Sequence, residues 1–411
     1  MKNTPFLHCL LFASVLASAP VSGGTDRFDS RLSGDWRGLR DRMADGGINA
    51  FAYYNAIVAS NVSGGRRGDT SYAGDLFAGF EFDLEKLAGW DDTTFTVSGI
   101  DRHGRSIDAA VGGQYSVMQL VGGQTTFLYG VHLEKKFNDE RLSLKLGRMT
   151  ATDDFVGSPL YSYSLNNAVD GQIRAVLFDG VMTSYPFPVW GGRLQMNLNS
   201  NSELKVGVFQ ISKDMFDPGK HGLDFSISGD DGVSIFTQYD WHPELAGKPA
   251  RFFVGMNNAF LDLEGFNTTE VTHHMVRFYG HGDVQVYREP GTVDEGLTLF
   301  ATLAYTSHDD VAIIPVQSTF GAHYKGLLPG RPDDRTMFFA TYGGFSNAYS
   351  AQQVALGGNA VDYEMVLELG HRVQLSRSAY FQPDIQFIKR PGGTGQIDDA
   401  LVLGVQFGAS F

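Results

Sequence analysis

From Leu403 to Phe411 the chain alternates strictly between apolar and small or polar side chains. The apolar set ends on an aromatic residue and comprises, with Leu401 in the same phase, Leu403, Val405, Phe407, Ala409 and Phe411. Because successive side chains of a strand point to opposite faces, this segment predicts a β-strand with one apolar and one polar face. Such a strand belongs either to a soluble sheet or to a transmembrane barrel, where its apolar face meets lipid.

The amino-terminal residues predict export. An apolar run follows Lys2, and the small residues at 17–19 suit cleavage, so we predict a signal peptide over 1–23 with its boundary open between Ala19 and Gly24. The single cysteine, Cys9, lies inside that segment. The mature chain is therefore expected to hold no disulfide and no thiolate ligand for zinc.

Composition excludes two classes of protein. No later segment has the roughly 20 uninterrupted apolar residues that a membrane helix needs. The formal net charge of -14 argues against nucleic acid as a partner, because phosphate binding requires clustered Lys and Arg. The same acidity is compatible with a lumen that tolerates cations or neutral solutes.

Alternating segments recur along almost the whole mature length. Clear examples lie at 142–146, 194–198, 204–208, 233–241, 297–305, 363–369 and 381–387. About seventeen candidate strands are found, and single-chain bacterial barrels carry even numbers. We therefore predict an all-β fold, a transmembrane antiparallel β-barrel of about 16 strands over residues 48–411, which is wide enough to leave an aqueous channel.

One segment has a different period. Trp36, Leu39 and Met43 follow helical spacing, and Gly46 provides a stop signal. We predict a short amphipathic helix within a leader at 24–47. The alternative is a polar leader whose spacing arises by chance.

Several separate motifs resemble those of the carbohydrate-selective porins of the OprB type. They are GDWRGLRDRMADGGI at 34–48, LAGW at 87–90, EKKFNDERLSLKLGRM at 134–149, Asp154-Phe155, Asn166-Asn167, YPFPVWG at 185–191, and the YE and PDIQFIKRPGG segments within 363–393. The resemblance spans nearly the full mature chain. It implies a 16-stranded barrel in the bacterial outer membrane, in contact with lipid and lipopolysaccharide, that passes sugars by diffusion. Whether three barrels associate as a homotrimer is left open.

A sugar channel needs aromatic faces and hydrogen-bonding groups at its narrowest point, and its binding has to stay weak. The alternation places Glu81, Asp83, Glu134 and Arg193 on inward faces of wall strands. These four residues are candidates for the substrate path. The alternative is that such charges solvate a wide channel wall or pair with one another across strands.

A long polar and aromatic stretch follows Arg148 and is a candidate constriction loop that folds inward. It contributes Asp154, Phe155, Asn166 and Asn167 as candidate residues. The alternative is an extracellular loop lying over the mouth. The segment at 101–126, with Asp101 and Arg102, is a rival for the same role.

The chain offers little sign of chemistry. Doubled aspartates occur mostly in turns and lack the ligand spacing of a calcium loop, so we predict no metal site. No G-x-S-x-G motif occurs, and we predict neither a catalytic residue nor a cofactor. The alternatives to a sugar channel are a general porin that leans towards cations and a structural or adhesive envelope barrel.

The terminal residue, Phe411, has two expected roles. The last strand is expected to pair with the first, near Ile48 to Ala59, and so to close the barrel. A carboxyl-terminal aromatic is also expected to be the tag that the outer-membrane assembly machinery reads.

Overall fold

The computed structural model describes residues 30–122, 124–179 and 181–411. The predicted signal peptide and the leader residues 24–29 lie outside this part of the chain. The described residues form one antiparallel sheet of seventeen strands. The strands are β1 (Ile48–Gly65), β2 (Asp69–Asp83), β3 (Thr93–Gly104), β4 (Thr126–Phe137), β5 (Leu142–Met149), β6 (Val189–Asn199), β7 (Ser202–Ile211), β8 (Gly232–Trp241), β9 (Glu244–Leu245), β10 (Lys248–Glu264), β11 (Val271–Arg288), β12 (Gly296–Tyr305), β13 (Val316–Lys325), β14 (Arg335–Gly344), β15 (Tyr363–Ser376), β16 (Ala379–Lys389) and β17 (Asp398–Ser410).

The wall of the barrel consists of sixteen of these strands, because the two-residue β9 only extends the turn into β10. β17 pairs with β1, with Tyr53 opposite Ser410 and Ala59 opposite Gly404. The backbone N–H of Phe411 continues this pairing and donates to the carbonyl of Ala52 at 2.8 Å. The predicted strand number and the predicted partner of the last strand are confirmed, and the sheet has no free edge.

The two faces of the wall differ as the alternation predicts. On β17, Leu403 is 46% exposed on the outer face, whereas Gln406 on the inner face is 2% exposed. Inner residues are covered because polypeptide fills part of the lumen. Gly207 on β7 and Gly343 on β14 make room for it, since a Cβ would lie 2.6 Å from the Phe155 ring and 2.2 Å from the Tyr115 hydroxyl.

Short helices occur in the segments that connect the strands and in the segment before β1. They are α1 (Leu39–Asp45), α2 (Leu84–Ala88), α3 (Asp108–Val111), α4 (Ala175–Phe178) and α5 (Asn347–Ala355), with 3-10 turns at Ala151–Asp153, Pro159–Tyr163, Pro218–Lys220 and Pro391–Gly393. Among the described residues, every helix is too short or too polar to cross a membrane.

The predicted leader helix is confirmed as α1, but the residues on its buried face differ from those predicted. Trp36 and Leu39 are 40% and 46% exposed, whereas Arg40 is 2% exposed. The Arg40 guanidinium donates to the carbonyls of Ala50 at 2.7 Å and Phe411 at 2.8 Å. The helix therefore lies against the barrel seam through a charged side chain that satisfies main-chain acceptors.

Long and short connections separate to opposite ends of the barrel. One end carries the turns 138–141, 200–201 and 377–378, and the other carries loops L2 (105–125), L3 (150–188) and L4 (212–231). Outer-membrane barrels have short periplasmic turns and longer extracellular loops. We therefore assign the end with α1 and the carboxyl terminus to the periplasm.

Candidate functional site: a constriction formed by two inward loops

Loop L2 crosses the lumen from β3 to the far wall. The carboxylate of Glu364 on β15 accepts hydrogen bonds from the N–H groups of Gln114 at 2.8 Å and Tyr115 at 3.0 Å. Gln386 on β16 donates from Nε2 to the carbonyl of Val117 at 3.1 Å. The segment at 101–126, the second candidate for a constriction loop, therefore folds into the barrel.

Loop L3 also lies inside the barrel and follows the inner wall. Its Val156 N–H donates to Gln238 Oε1 on β8 at 3.0 Å. Further along, the Leu165 N–H donates to Glu368 on β15. On its return, Asp179 forms an ion pair with Arg277 of β11, and both side chains are fully buried. The inward course predicted for this loop is what the structure shows.

The two loops are joined beside β15 and β16, on the inner side of the wall. The Ser116 N–H donates to Asn167 Oδ1 at 2.8 Å, and the Asn167 N–H donates to the Ser116 carbonyl at 2.9 Å. Gln119 N–H adds a bond to the Leu165 carbonyl at 2.8 Å. L2 and L3 therefore form one partition that narrows the barrel.

A cavity of about 380 Å³ lies between this partition and the wall, and we call it the eyelet. Its charged lining residues are Asp75, Arg102, Asp153, Asp170, Arg174 and Arg372. Tyr129, Tyr185 and Tyr380 add aromatic groups. The lining thus combines rings, cations and carboxylates, which is the combination that recognises hydroxylated solutes.

Asp170 and Arg174 are the eyelet groups that the protein leaves available. Among the described residues, neither side chain has a hydrogen-bond partner, and the buried Nε of Arg174 is unsatisfied. Burial raises the pKa of Asp170 to about 8, with Glu368 and Asp75 adding to the rise. Burial likewise lowers the pKa of Arg174 to about 10, so its guanidinium stays charged at neutral pH.

Arg372 is held rigidly at the same cavity. Its guanidinium carbon lies 4.1 Å from the ring centroid of Tyr163 and 4.0 Å from that of Tyr380. Its Nε donates to Gln382 Oε1 at 2.8 Å, and Nη2 donates to the Ser162 carbonyl at 2.8 Å. The stacked cation has a fixed place at the edge of the eyelet.

Three of the predicted site residues meet in one ion-pair network. Arg193 donates to Glu134 at 2.7 Å and to Asp154 at 3.1 Å, and Lys145 donates to the other oxygen of Asp154 at 2.8 Å. Asp154 belongs to L3, whereas the others lie on β4, β5 and β6. The network fixes the start of L3 to the wall, which agrees with the alternative of charges pairing across strands.

Two further predicted residues, Glu81 and Asp83, line a larger chamber on the periplasmic side of the eyelet. This vestibule measures about 730 Å³ and shares Tyr129, Asp153 and Tyr185 with the eyelet. The Asp83 carboxylate also caps α2, accepting from the Glu85 N–H at 3.1 Å. Glu134 lines the same chamber.

Arg102 and Asp101 lie on opposite faces of β3. Arg102 lines the eyelet and donates to the carbonyls of Gly122 at 2.7 Å and Gln119 at 3.0 Å, which ties L2 to the wall. Asp101 accepts from Thr126 at 2.7 Å and contacts His103 at 3.1 Å instead. Asp101 was predicted to line the substrate path, and the alternation of the strand turns its side chain away from the lumen.

Three other residues predicted for the substrate path, Arg148, Phe155 and Asn166, have side chains that contact loops or the inner wall. Arg148 donates to the carbonyls of Pro188 and Gly222, so it pins L4 to the barrel. The Phe155 ring is 1% exposed beneath L3, and Asn166 is equally buried, with Nδ2 bonded to Gln386 at 3.0 Å. These groups anchor loops and do not line the eyelet, whereas Asn167 does.

Asp170, Arg174 and Arg372 were not among the site residues predicted from the sequence. One signal was available for Arg372, because it follows Glu364 and Glu368 at even spacing on β15 and shares their inward face. Asp170 and Arg174 lie within the loop that was predicted to fold inward. Sequence alone gave them no priority over the other polar residues of that loop.

One group of acidic and histidine side chains has metal-like spacing. Ligand atoms of Glu203, Asp240 and His242 lie within 4.8 Å of one another. Lys205 contacts Glu203 at 2.8 Å and Asp240 at 3.4 Å, and Arg251 contacts Asp240 at 2.6 Å. Two cations therefore already neutralise the carboxylates of this group.

Comparisons with known proteins agree with this architecture. Residues 67–411 match the family model described as "Carbohydrate-selective porin, OprB family". The chain is 26% identical to the putative porin QuiX of Acinetobacter baylyi over 92% of this chain and 93% of that protein. It is 25% identical to porin B of Pseudomonas aeruginosa over 98% of this chain and 97% of that protein.

Among solved structures, the high-pH structure of Pseudomonas putida OprB superposes with a TM-score of 0.89 at 23% identity. The alignment covers 95% of this chain and all of that one, and it shows the shared fold. The family match extends over most of the chain, and the barrel, the inward loops and the aromatic and charged eyelet fit a channel with no enzymatic step. The chain belongs to the carbohydrate-selective porin family, OprB type, and is a porin of the bacterial outer membrane.

Proposed function

We propose that this porin passes mono- and small oligosaccharides through the eyelet by passive diffusion into the periplasm. Asp170, Arg174 and Arg372 exchange hydrogen bonds with sugar hydroxyls as water is shed, and the nearby tyrosines contact the ring. The observation that carries this proposal is the available Asp170 and Arg174 pair at the narrowing made by L2 and L3. A sugar can bond to these groups without displacing a hydrogen bond that their side chains make within the protein.

Weak binding follows from the same geometry. Only a few groups with unused hydrogen-bonding capacity face the eyelet, because Arg102 donates to the carbonyls of Gly122 and Gln119 in L2. A solute held by few bonds leaves quickly, as conduction requires. Weak binding at the eyelet is therefore consistent with the carbohydrate-selective porin family to which the chain belongs.

The test is the single-channel current of the purified porin in planar bilayers, with and without sugar. Glucose and xylose are expected to reduce the KCl current in a concentration-dependent manner. If the current stays unchanged by glucose, xylose and larger saccharides while ions still flow, the protein is a general porin. If no channel forms, neither account stands.

Two finer points concern assembly. We infer that Phe411 is the tag for the outer-membrane assembly machinery, which is supported by its place at the end of the closing strand. Deleting Phe411 is then expected to reduce the amount of folded barrel in the outer membrane. Association as a homotrimer stays a prediction, and the mass of the detergent-solubilised porin tests it.

A further inference from the structure

Five aromatic rings form a continuous row on the inner side of the wall, from the eyelet towards the periplasm. The ring centroid of Tyr185 lies 5.1 Å from that of Tyr129, which lies 5.3 Å from Phe77. Phe77 lies 5.5 Å from Phe51 and 6.4 Å from Tyr53. We call Tyr185, Tyr129, Phe77, Phe51 and Tyr53 the aromatic row.

Strand register builds the periplasmic part of this row. Phe51 and Tyr53 are two residues apart on β1 and share the inward face, and Tyr53 lies opposite Phe77 of β2. Tyr129 of β4 follows on the same side. Tyr185 comes from the end of L3 and connects the row to the eyelet, where its hydroxyl donates to Asp75 at 3.1 Å.

The row differs from the other inward aromatics of this barrel. Phe209, Phe236, Phe300 and Phe339 are each at most 2% exposed, so loop packing accounts for them. Phe51 and Phe77, in contrast, line the vestibule of about 730 Å³, and Tyr53 is 37% exposed. Phe77 packs on one side against the buried cluster of Ile100, Phe127 and Tyr129. Its exposure to the aqueous chamber, and that of Phe51, is not explained by this packing.

Polar groups accompany the row along the same chamber. The vestibule is also lined by Asn49, Glu81, Asp83, Thr94, Thr96 and Ser98. A flat ring beside carboxylates, an amide and hydroxyls matches a pyranose, whose C–H face packs on the ring while its hydroxyls donate to the acids. An anionic solute is disfavoured by Glu81 and Asp83.

We propose that the aromatic row is a second saccharide-binding region, on the periplasmic side of the eyelet, that takes the ring face of a pyranose as it leaves. This inference rests on the proposed function, because it presumes that saccharides pass the eyelet. Its distinguishing claim is that recognition depends on the sugar ring and not merely on the number of hydroxyls. An acyclic polyol such as sorbitol therefore gains little from the row.

The experiment measures block of single-channel KCl current by glucose and by sorbitol for the wild type, Phe77→Ala and Phe51→Ala. Phe80→Ala is the matched control, since Phe80 lies on the same strand, is 45% exposed and points to the outer face. Removing one stacking ring is expected to weaken glucose block roughly two- to tenfold. Sorbitol block is expected to stay unchanged, as is glucose block of Phe80→Ala.

Phe77→Leu is a second variant that is less disruptive to folding, because leucine keeps apolar bulk while removing the flat ring. It is also expected to weaken glucose block. If the wild type is blocked by glucose and the Phe77 and Phe51 variants are blocked equally well, the row is not a sugar site although the proposed function stands. If these variants change block by tetramethylammonium and not by glucose, the row is a cation site and the inference is overturned. Absence of any sugar block in the wild type refutes the proposed function itself.

Discussion

Charged side chains on the two sides of L3 differ in whether they are paired with other protein groups. Towards the wall, Asp179 and Arg277 form an ion pair in which both side chains are 0% exposed, and Asp179 also accepts from the Ile313 N–H at 2.9 Å. Towards the lumen, the side chains of Asp170 and Arg174 have no hydrogen-bond partner in the described part of the chain. Charges on the wall side stabilise the loop, whereas charges on the lumen side remain available to a solute.

This contrast explains why charge alone did not identify the site. Arg193 and Arg102 are as conspicuous in the sequence as Arg174. In the structure their donors are engaged by Glu134, Asp154 and the carbonyls of L2. Arg174 differs from these two arginines because its side chain has no hydrogen-bond partner among the described residues, so it can bind a solute.

The largest expected effect comes from removing the ion pair between Asp179 and Arg277, which attaches L3 to the wall. Arg277→Ala leaves the buried Asp179 carboxylate without its cation, which costs about 3–5 kcal/mol. We expect L3 to detach, with a lower unfolding temperature and a larger single-channel conductance. The paired replacement Arg277→Met with Asp179→Leu is expected to recover most of the stability. Unchanged conductance and thermal stability in Arg277→Ala would contradict this account of the anchor.

A smaller effect is expected at the seam between the loops. Asn167→Ala removes the acceptor of the Ser116 N–H and is expected to cost about 1 kcal/mol. Hydrogen exchange of the backbone at 114–119 should become faster, and current noise should increase. Ser200→Ala in a periplasmic turn serves as the control, for which neither quantity should change.

Substitution on the lumen side is expected to leave stability almost unaltered. Arg174→Gln removes no protein hydrogen bond, so the change in unfolding free energy should stay within about 0.5 kcal/mol. Its effect should appear in the reversal potential across a KCl gradient, with anion permeability reduced. Arg67→Gln, an exposed cation in the turn after β1, should leave the reversal potential unchanged. Marked destabilisation by Arg174→Gln would show that the guanidinium supports the loop.

The smallest effect is a step in ion selectivity with pH. Because the pKa of Asp170 is raised to about 8, this carboxyl is neutral at pH 7 and ionised at pH 9. The eyelet gains a negative charge as pH rises through this window, so the ratio of cation to anion permeability should increase. Asp170→Asn should remove the step from reversal potentials recorded between pH 6 and 10. A step of equal size in that variant would assign it to another group.

The strands of the barrel wall were predictable because each one shows an alternation of apolar and polar residues within its own short segment. Each strand shows the two-residue period, and the terminal segment from Leu401 to Phe411 already indicated both its faces and its partner strand. The inward phases of Glu81, Asp83 and Glu134 followed from the same rule. Local patterning thus determined the strands and their faces.

The paths of L2 and L3 were not determined in this way. They depend on contacts between residues far apart in sequence, such as the Tyr115 N–H with Glu364 and the Leu165 N–H with Glu368. The two-residue period does not indicate which distant residues make contact. Phe155 and Asn166 were therefore predicted to line the lumen. Asp170 and Arg174 became recognisable only once the position of L3 separated engaged charges from available ones.

The most direct test of the account is glucose uptake by liposomes that contain the porin, measured by osmotic swelling and divided by the KCl conductance of the same variant. The double variant Asp170→Asn with Arg174→Gln should show a clearly lower ratio than the wild type, because the division by KCl conductance removes the effect of altered ion flow. An unchanged ratio would contradict the claim that these two groups bind the passing saccharide.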